Sequence, residues 1–398
     1  MKKSITCFAA AISCLLTAAD WSGFRGPGGN AVSDVKLPTK IDNAKHIAWK
    51  VEMPGRGPSS PIVVGEQVIV TASSGPKQDR LHVASYDAKS GKRQWHRQFW
   101  ATGRTYTHPT IGVAAPTPAS DGERIFAFFS SNDLICLDLA GNLQWYRGLA
   151  DDWPKAGNDI GMSSSPVVSD GVVVVQIENQ ADSFALALDA SAGEDLWRVK
   201  RNPRANWASP SVLPASGKRK AAVLLQSPVG ITAHDLRTGD EVWKLEVAFP
   251  TITSPLIVEH RAYLPTKGMM AVKFPEDSYS PEVLWESNKL KASAPSPVLH
   301  AGRLYAMGGS ILTCGDVKTG EVLWKLRVEG RYWATPVVAG GLIYCVNQEG
   351  KLHVVKPGDE NGEIVSEHEF GEVIQGTPAI GAGAMFVRSD AHLWKVAE

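Results

Sequence analysis

The chain has 398 residues, 43% of them hydrophobic, and its 41 basic and 41 acidic residues balance to a formal charge of zero. That length can bury a large core, and without a long run of either sign neither a nucleic-acid backbone nor an anionic membrane surface is favoured as partner. Of five cysteines, Cys7 and Cys14 fall in the leading segment that reads as a signal, and Cys136, Cys314 and Cys345 remain, an odd number at unrelated spacings with no Cys-x-x-Cys or His-x-x-x-His pairing, so neither a disulfide framework nor a metal site is expected.

Residues 1–19 read as a secretory signal peptide. Lys2 and Lys3 give the charged start, Ile5 to Leu16 the apolar stretch, and Thr17-Ala18-Ala19 a small-residue cleavage site. The stretch is too short for a transmembrane anchor. Cys14, with Ala11 where a larger aliphatic is usual, is a poor match to a lipidated cysteine. No later segment is apolar enough to span a membrane, so the mature chain is expected to be exported, periplasmic or secreted.

Residues 20–45 follow as an N-terminal extended segment, expected to run across the outside of the fold. From residue 46 a repeat takes over. Trp49, Trp95, Trp145, Trp197, Trp243, Trp285 and Trp324 each precede a Ser-Pro, Thr-Pro or Ser-Ser-Pro step, and these steps end at Pro61, Pro118, Pro166, Pro210, Pro255, Pro297, Pro336 and Pro378. The Trp-to-Pro offset is 12 in four copies, so Pro378 predicts an eighth tryptophan at 366, where the chain has Ser366. Eight units, one degenerate, indicate a closed repeat protein.

The unit is clearest at 297–324. Strands are predicted at 297–299, 303–307, 311–315 and 321–326, with turns at His300-Ala301-Gly302, Gly308-Gly309-Ser310 and Val317-Lys318-Thr319-Gly320. Glycine supplies the positive φ of such turns, and Asp316 can bond its own turn backbone. The pair recurs as Asp87/Gly91, Asp138/Gly141, Asp189/Gly193 and Asp235/Gly239. Short strands in fours with glycine-rich turns fit an all-β fold, an eight-bladed β-propeller of four-stranded antiparallel blades over 46–398. Val172 to Val175 reads as a strand covered on both faces. The last unit has strands near 379–381, 384–388 and 393–396 and stops one short. The N-terminal strand Ile47-Ala48-Trp49-Lys50-Val51 is expected to close the ring, removing an open edge. A monomer is expected.

The units resemble the tryptophan-docking repeat Ala-x-Asp-x-x-Thr-Gly-x-x-x-Trp of the quinoprotein (PQQ-like) β-propellers. Ala233, Asp235, Thr238, Gly239 and Trp243 fill every motif position, and Cys314 to Trp324 match with Cys for Ala. The opening Trp21-Ser-Gly-Phe24-Arg25-Gly26-Pro27 also resembles the start of exported PQQ-like repeat proteins. Cys314, in the small position of the motif, and Cys136 then read as small buried hydrophobes. The resemblance is specific for fold and open for activity. One implied function is a non-catalytic exported scaffold binding an envelope protein or small ligand, similar to the BamB-type outer-membrane assembly scaffolds, with no cofactor. The alternative is a PQQ- and calcium-dependent alcohol or sugar dehydrogenase. Such enzymes hold the quinone between a tryptophan and a disulfide of adjacent cysteines, and no Cys-Cys pair exists here.

Candidate site residues come from loops, where function concentrates. The spans from Trp95 to Pro118 and from Trp145 to Pro166 are 23 and 21 residues long and should lie side by side on one face. They carry His96, Arg97, Trp100, Arg104, Tyr106 and His108, then Asp151, Asp152, Trp153 and Asp159. A ligand or partner site there competes with plain capping of two blades. Trp207 and Trp333, three residues before strand-opening prolines, should stand near the channel mouth, to stack on a planar ligand or to plug the channel. Arg56, Arg331, Tyr332 and Gln375 occupy comparable loops. No catalytic residue and no metal ligand is assigned, and His260, His300 and His353 read as surface residues of turns or strands.

Overall fold

The computed structural model describes residues 20–157 and 160–398, so the secretory signal read over 1–19, and Asp159, lie outside the described residues. Eight sheets form a ring; six are four-stranded meanders whose strands pair in chain order, and the other two each take in one strand from residues 32–52. Blade 1 comprises Ile62–Val64, Gln67–Ser74, Arg80–Asp87 and Arg93–Trp100. Blades 2 to 6 follow over 119–148, 167–200, 211–245, 256–287 and 298–327, and blade 7 over 337–369. In the unit chosen above the strands are Val298–His300, Arg303–Gly308, Ile311–Asp316 and Val322–Arg327, within a residue of expectation at each end. Burial follows position in the blade. Val172–Ile177 is buried at every residue between neighbouring sheets, whereas Ile47–Glu52, an outermost strand, alternates half-buried and exposed.

The ring closes as the repeat count requires. Ile47–Glu52 pairs antiparallel with His392–Val396, with Val51 opposite Leu393 and Glu52 opposite His392, completing blade 8. Its edge strand is supplied from the opposite end of the chain, so no sheet is left short.

Indoles join the sheets. Trp95 Nε1–H donates to Leu139 O at 2.9 Å, Trp145 to Ala190 O at 3.1 Å, Trp197 to Leu236 O at 3.0 Å and Trp285 to Val317 O at 2.9 Å, each in the following blade. Each ring also lies on that blade's turn glycine. At Gly91, Gly141, Gly193, Gly239 and Gly320 φ is between 70° and 79°, and an added Cβ would come no farther than 2.8 Å from an indole atom. Only glycine satisfies both demands. The turn aspartates act as anticipated: Asp235 Oδ1 accepts from Arg237 and Thr238 N–H, and Asp316 Oδ1 from Lys318 and Thr319 N–H. Blade 5 has no such glycine, and Trp243 instead meets Phe274 edge-on, centroids 5.4 Å apart. Ser366, in the eighth position, donates from Oγ to Thr39 O. Cys136 and Cys314 face Trp145 and Trp324 directly across the strand pair and are fully buried, which raises their thiol pKa values to about 12 and about 11.

The segment before the ring corrects one expectation. Residues 20–45 do not run across the outside but strap across the axis. Trp21 exchanges backbone bonds with Val63 in blade 1 at 2.8 and 3.0 Å, and Ser120 N–H in blade 2 donates to Ser22 O. Arg25 Nη2 reaches Pro255 O in blade 5, Asn30 exchanges bonds with Leu299 in blade 6, and Val32–Ser33 adds a parallel strand to blade 7. Tyr344 Oη then donates to Leu37 O as the chain turns outward to blade 8. The cause is an unmet need on each side. Innermost strands leave a row of unpaired backbone groups facing the axis, while Trp21, Ala31, Leu37 and Ile41 need burial and find it there.

Candidate functional site: a blind axial channel

Each innermost strand opens on a Ser or Thr followed by Pro, and these hydroxyls ring the axis. Ser60 N–H donates to Thr117 Oγ1, Thr117 to Ser165, Ser165 to Ser209, Ser209 to Ser254, Ser254 to Ser296, Ser296 to Thr335 and Thr335 to Thr377, all at 2.9–3.1 Å. Seven of the eight blade junctions are thus fastened by a serine or threonine hydroxyl at one position. Where blade 8 meets blade 1, Arg388 Nη1 bonds Ser59 O and Oγ instead. The recurring step is read in the sequence as a marker of the repeat; its hydroxyl is in fact the joint.

Above this ring lies a cavity of about 410 Å³, open on the face that carries the loops after each outermost strand. Phe24, from the strap, lines its inner end, and Ile111, Ile160, Trp207, Ile252 and Trp333 line it toward the mouth. Among the described residues no Asp, Glu, Lys or Arg lines it, and His108 is the one titratable residue that does. The surrounding face is apolar as well. Among the described residues eleven large hydrophobics are exposed, and seven of them stand here: Trp100, Tyr106, Ile160, Val229, Ile252, Trp333 and Val373. The other four (Leu143, Leu196, Val283 and Leu323) lie at the start of outermost strands, on the outer edge of the ring.

Of the residues singled out from sequence, His108, Trp207, Trp333 and Gln375 line the cavity. Trp207 is held by Nε1–H to Gly161 O at 2.7 Å, and Trp333 by Nε1–H to Gln348 Oε1 at 3.1 Å. Trp100, Arg104 and Tyr106 stand on the same face beyond the mouth; Arg80 lies over the Trp100 ring and Arg104 over that of Tyr106. The two long loops do meet, with His108 N–H donating to Ile160 O. Arg56 pairs with Asp390 at 3.4 Å and donates to Pro109 O, and Arg331 N–H donates to Glu349.

Three others stand away from the cavity. Arg97 belongs to the strand Arg93–Trp100, not to the loop, and its Nε–H donates to Gly141 O across the junction of blades 1 and 2. Trp153 packs on Phe184, centroids 4.8 Å apart, under Arg198. Tyr332 is buried and its Oη lies 2.9 Å from both Glu329 O and His353 Nδ1. His353 is therefore no surface residue. It is fully buried, and that burial lowers its pKa. Sequence reasoning did not reach Phe24, Ile111, Ile160 or Ile252. The isoleucines could have been found as apolar residues inside otherwise polar loops.

A quinone cofactor with calcium would need a carboxylate cluster for the ion and cationic or polar partners for the acidic quinone. Among the described residues the cavity wall offers hydroxyls, Gln375 and His108 but no carboxylate, lysine or arginine, and the cysteines Cys136, Cys314 and Cys345 are buried within blades. The residues described there do not fit the calcium ion.

The family model described as outer membrane protein assembly factor BamB matches residues 30–161, 153–264 and 277–390. The chain belongs to that family. It is 26% identical over 379 residues to the outer membrane protein assembly factor BamB of Burkholderia pseudomallei (strain K96243), covering 88% of this chain and 89% of that one. It is also 23% identical to a polyvinylalcohol dehydrogenase of a Pseudomonas species over 71% of its length, but spans only 46% of that relative. Among solved structures the BamB of Moraxella catarrhalis superposes with a TM-score of 0.62 at 19% identity, covering 88% and 97% of the two chains. A europium-containing methanol dehydrogenase superposes at 0.70 with 12% identity, covering 96% and 98%. At those identities the two structures speak for the fold, which scaffolds and dehydrogenases share.

Proposed function

We propose that this chain is an exported, non-catalytic binding scaffold, engaging an envelope protein through the open face of the ring. The observation that carries the reading is the gathering of seven exposed apolar side chains on the face that holds a blind cavity lined, among the described residues, by no Asp, Glu, Lys or Arg. An apolar patch rimmed by polar loops is the usual character of a docking surface, and tryptophan and tyrosine are its usual anchors. The relative that matches over nearly its whole length is an outer membrane protein assembly factor, which fits a partner in the cell envelope. Among the described residues no helix is long and apolar enough to cross a membrane.

A photo-crosslinking amino acid placed at Trp333 or Ile252 should capture one defined envelope protein, and the same probe at Leu196 on an outermost strand should not. Equal labelling from both positions would defeat the assignment of the face. The dehydrogenase reading is favoured by the polyvinylalcohol dehydrogenase relative. It is tested by adding PQQ and Ca²⁺ to purified protein and following dye-linked oxidation of alcohols and aldoses. Turnover there would replace the scaffold reading.

A further inference from the structure

Phe24 has a second cavity on its far side. This crevice of about 180 Å³ lies on the strapped face, bounded by residues 22–29 and by the innermost strands of blades 2 to 5. Arg25 lines it and is only 3% exposed. Its Nη2 donates to Pro255 O at 2.8 Å, and its guanidinium carbon lies 5.1 Å from the Phe24 ring centroid. Nε and Nη1 have no hydrogen-bond partner. No ion pair among the described residues includes Arg25. Burial alone, with no carboxylate to offset it, pulls its pKa down to about 9, so the group is still a cation at neutral pH.

A contrast within the molecule shows what is missing. Buried Arg201 is held by Glu178 at 2.7 Å, the arrangement expected when a charge is taken out of water. Arg25 has no such partner and is also set on strained backbone, with φ of 66° at a non-glycine residue. Beside it Gly23 and Gly28 leave open space where a side chain would stand. Ser120, Ser209 and Ser211 add hydroxyls to the wall. A buried guanidinium with two unpartnered nitrogens, lining a partly polar crevice without acidic side chains among the described residues, is complementary to an oxyanion taken by the planar fork.

We propose that the crevice at Arg25 binds a small oxyanion of the phosphate, sulfate or short-carboxylate class. Calorimetry on the mature full-length chain, titrated separately with phosphate, sulfate and acetate against chloride at equal ionic strength, tests it. At least one oxyanion should bind saturably, and the arm that does so identifies the class. Arg25→Gln should weaken that binding at least tenfold, with Arg25→Lys, which keeps the charge and loses the fork, in between. Absence of saturable binding to all three anions, or unchanged affinity in Arg25→Gln, overturns the site. Should Arg25→Gln fail to fold, selenate soaked into crystals of the unaltered protein decides. An anomalous peak within hydrogen-bond distance of Arg25 upholds the site and a featureless crevice removes it.

Discussion

Replacing Ser254 by alanine isolates the hydroxyl ring from everything else in the channel. The side chain is 1% exposed, and its Oγ accepts the Ser209 N–H at 2.9 Å. Truncation removes a single oxygen and leaves almost no cavity, so loss of packing contributes little. What remains is the Ser209 amide, itself in a buried residue, with its acceptor gone. Leaving a buried donor unpaired costs about 1–3 kcal/mol, against about 1 kcal/mol for an average hydrogen bond with both partners solvated. Threonine holds the equivalent place at positions 117, 335 and 377, so Ser254→Thr keeps the acceptor and should change stability by less than about 1 kcal/mol. Equilibrium urea unfolding followed by tryptophan fluorescence measures both, and a lower midpoint at constant slope is the signature of lost stability. If Ser254→Ala lies within about 0.5 kcal/mol of the unaltered protein, or if threonine is the more damaging exchange, the hydroxyls are not joints and the argument fails.

Trp197→Ala should cost more, about 3–5 kcal/mol, because the indole is 8% exposed and bonded to Leu236 O; Trp333→Ala, 44% exposed, should fall within about 0.5 kcal/mol by the same unfolding assay. Gly239→Ala places a methyl against the Trp197 ring at a φ of 76°, and circular dichroism should show a melting temperature several degrees lower. Acid should weaken the protein through His82, whose pKa is lowered to about 4 by burial, then by His96 and Arg80. The unfolded chain binds this proton near the ordinary value of about 6.5. Stability is therefore complete above that pH and declines as pH falls toward 4, by up to about 1.4 kcal/mol per unit for each such imidazole. Melting at pH 7 and pH 5 should show the decline, and His82→Gln should flatten it.

The architecture was legible because its causes are local. A glycine four residues before a tryptophan is demanded by turn conformation and by contact with the indole of the preceding blade, so it recurs in the sequence at five of the eight junctions. Closure followed from arithmetic, with a strand missing at one end and present at the other. The strap was not legible. Its anchors are single residues such as Trp21 and Asn30, and the contacts of Asn30 lie 269 residues away in the sequence, so no period betrays them. The site was readable only in part for a related reason. Loop length located the open face, yet chemical type could not separate Trp207, which lines the cavity, from Trp153, which packs on Phe184. Arg97 looked like a loop cation because the strand runs on to Trp100, farther than the repeat suggests.

Because Ile47–Glu52 finds its partner in His392–Val396, the circle cannot be completed until that strand has been synthesised and delivered. A chain still emerging is an open arc, with the strap holding blade 1 and waiting for blades 5, 6 and 7 to come round. Removing the final seven residues would leave both ends unlatched, although each remaining blade keeps its own hairpins. Quality control of this molecule would then act on His392–Val396, where one short strand decides between a sealed wheel and a frayed one.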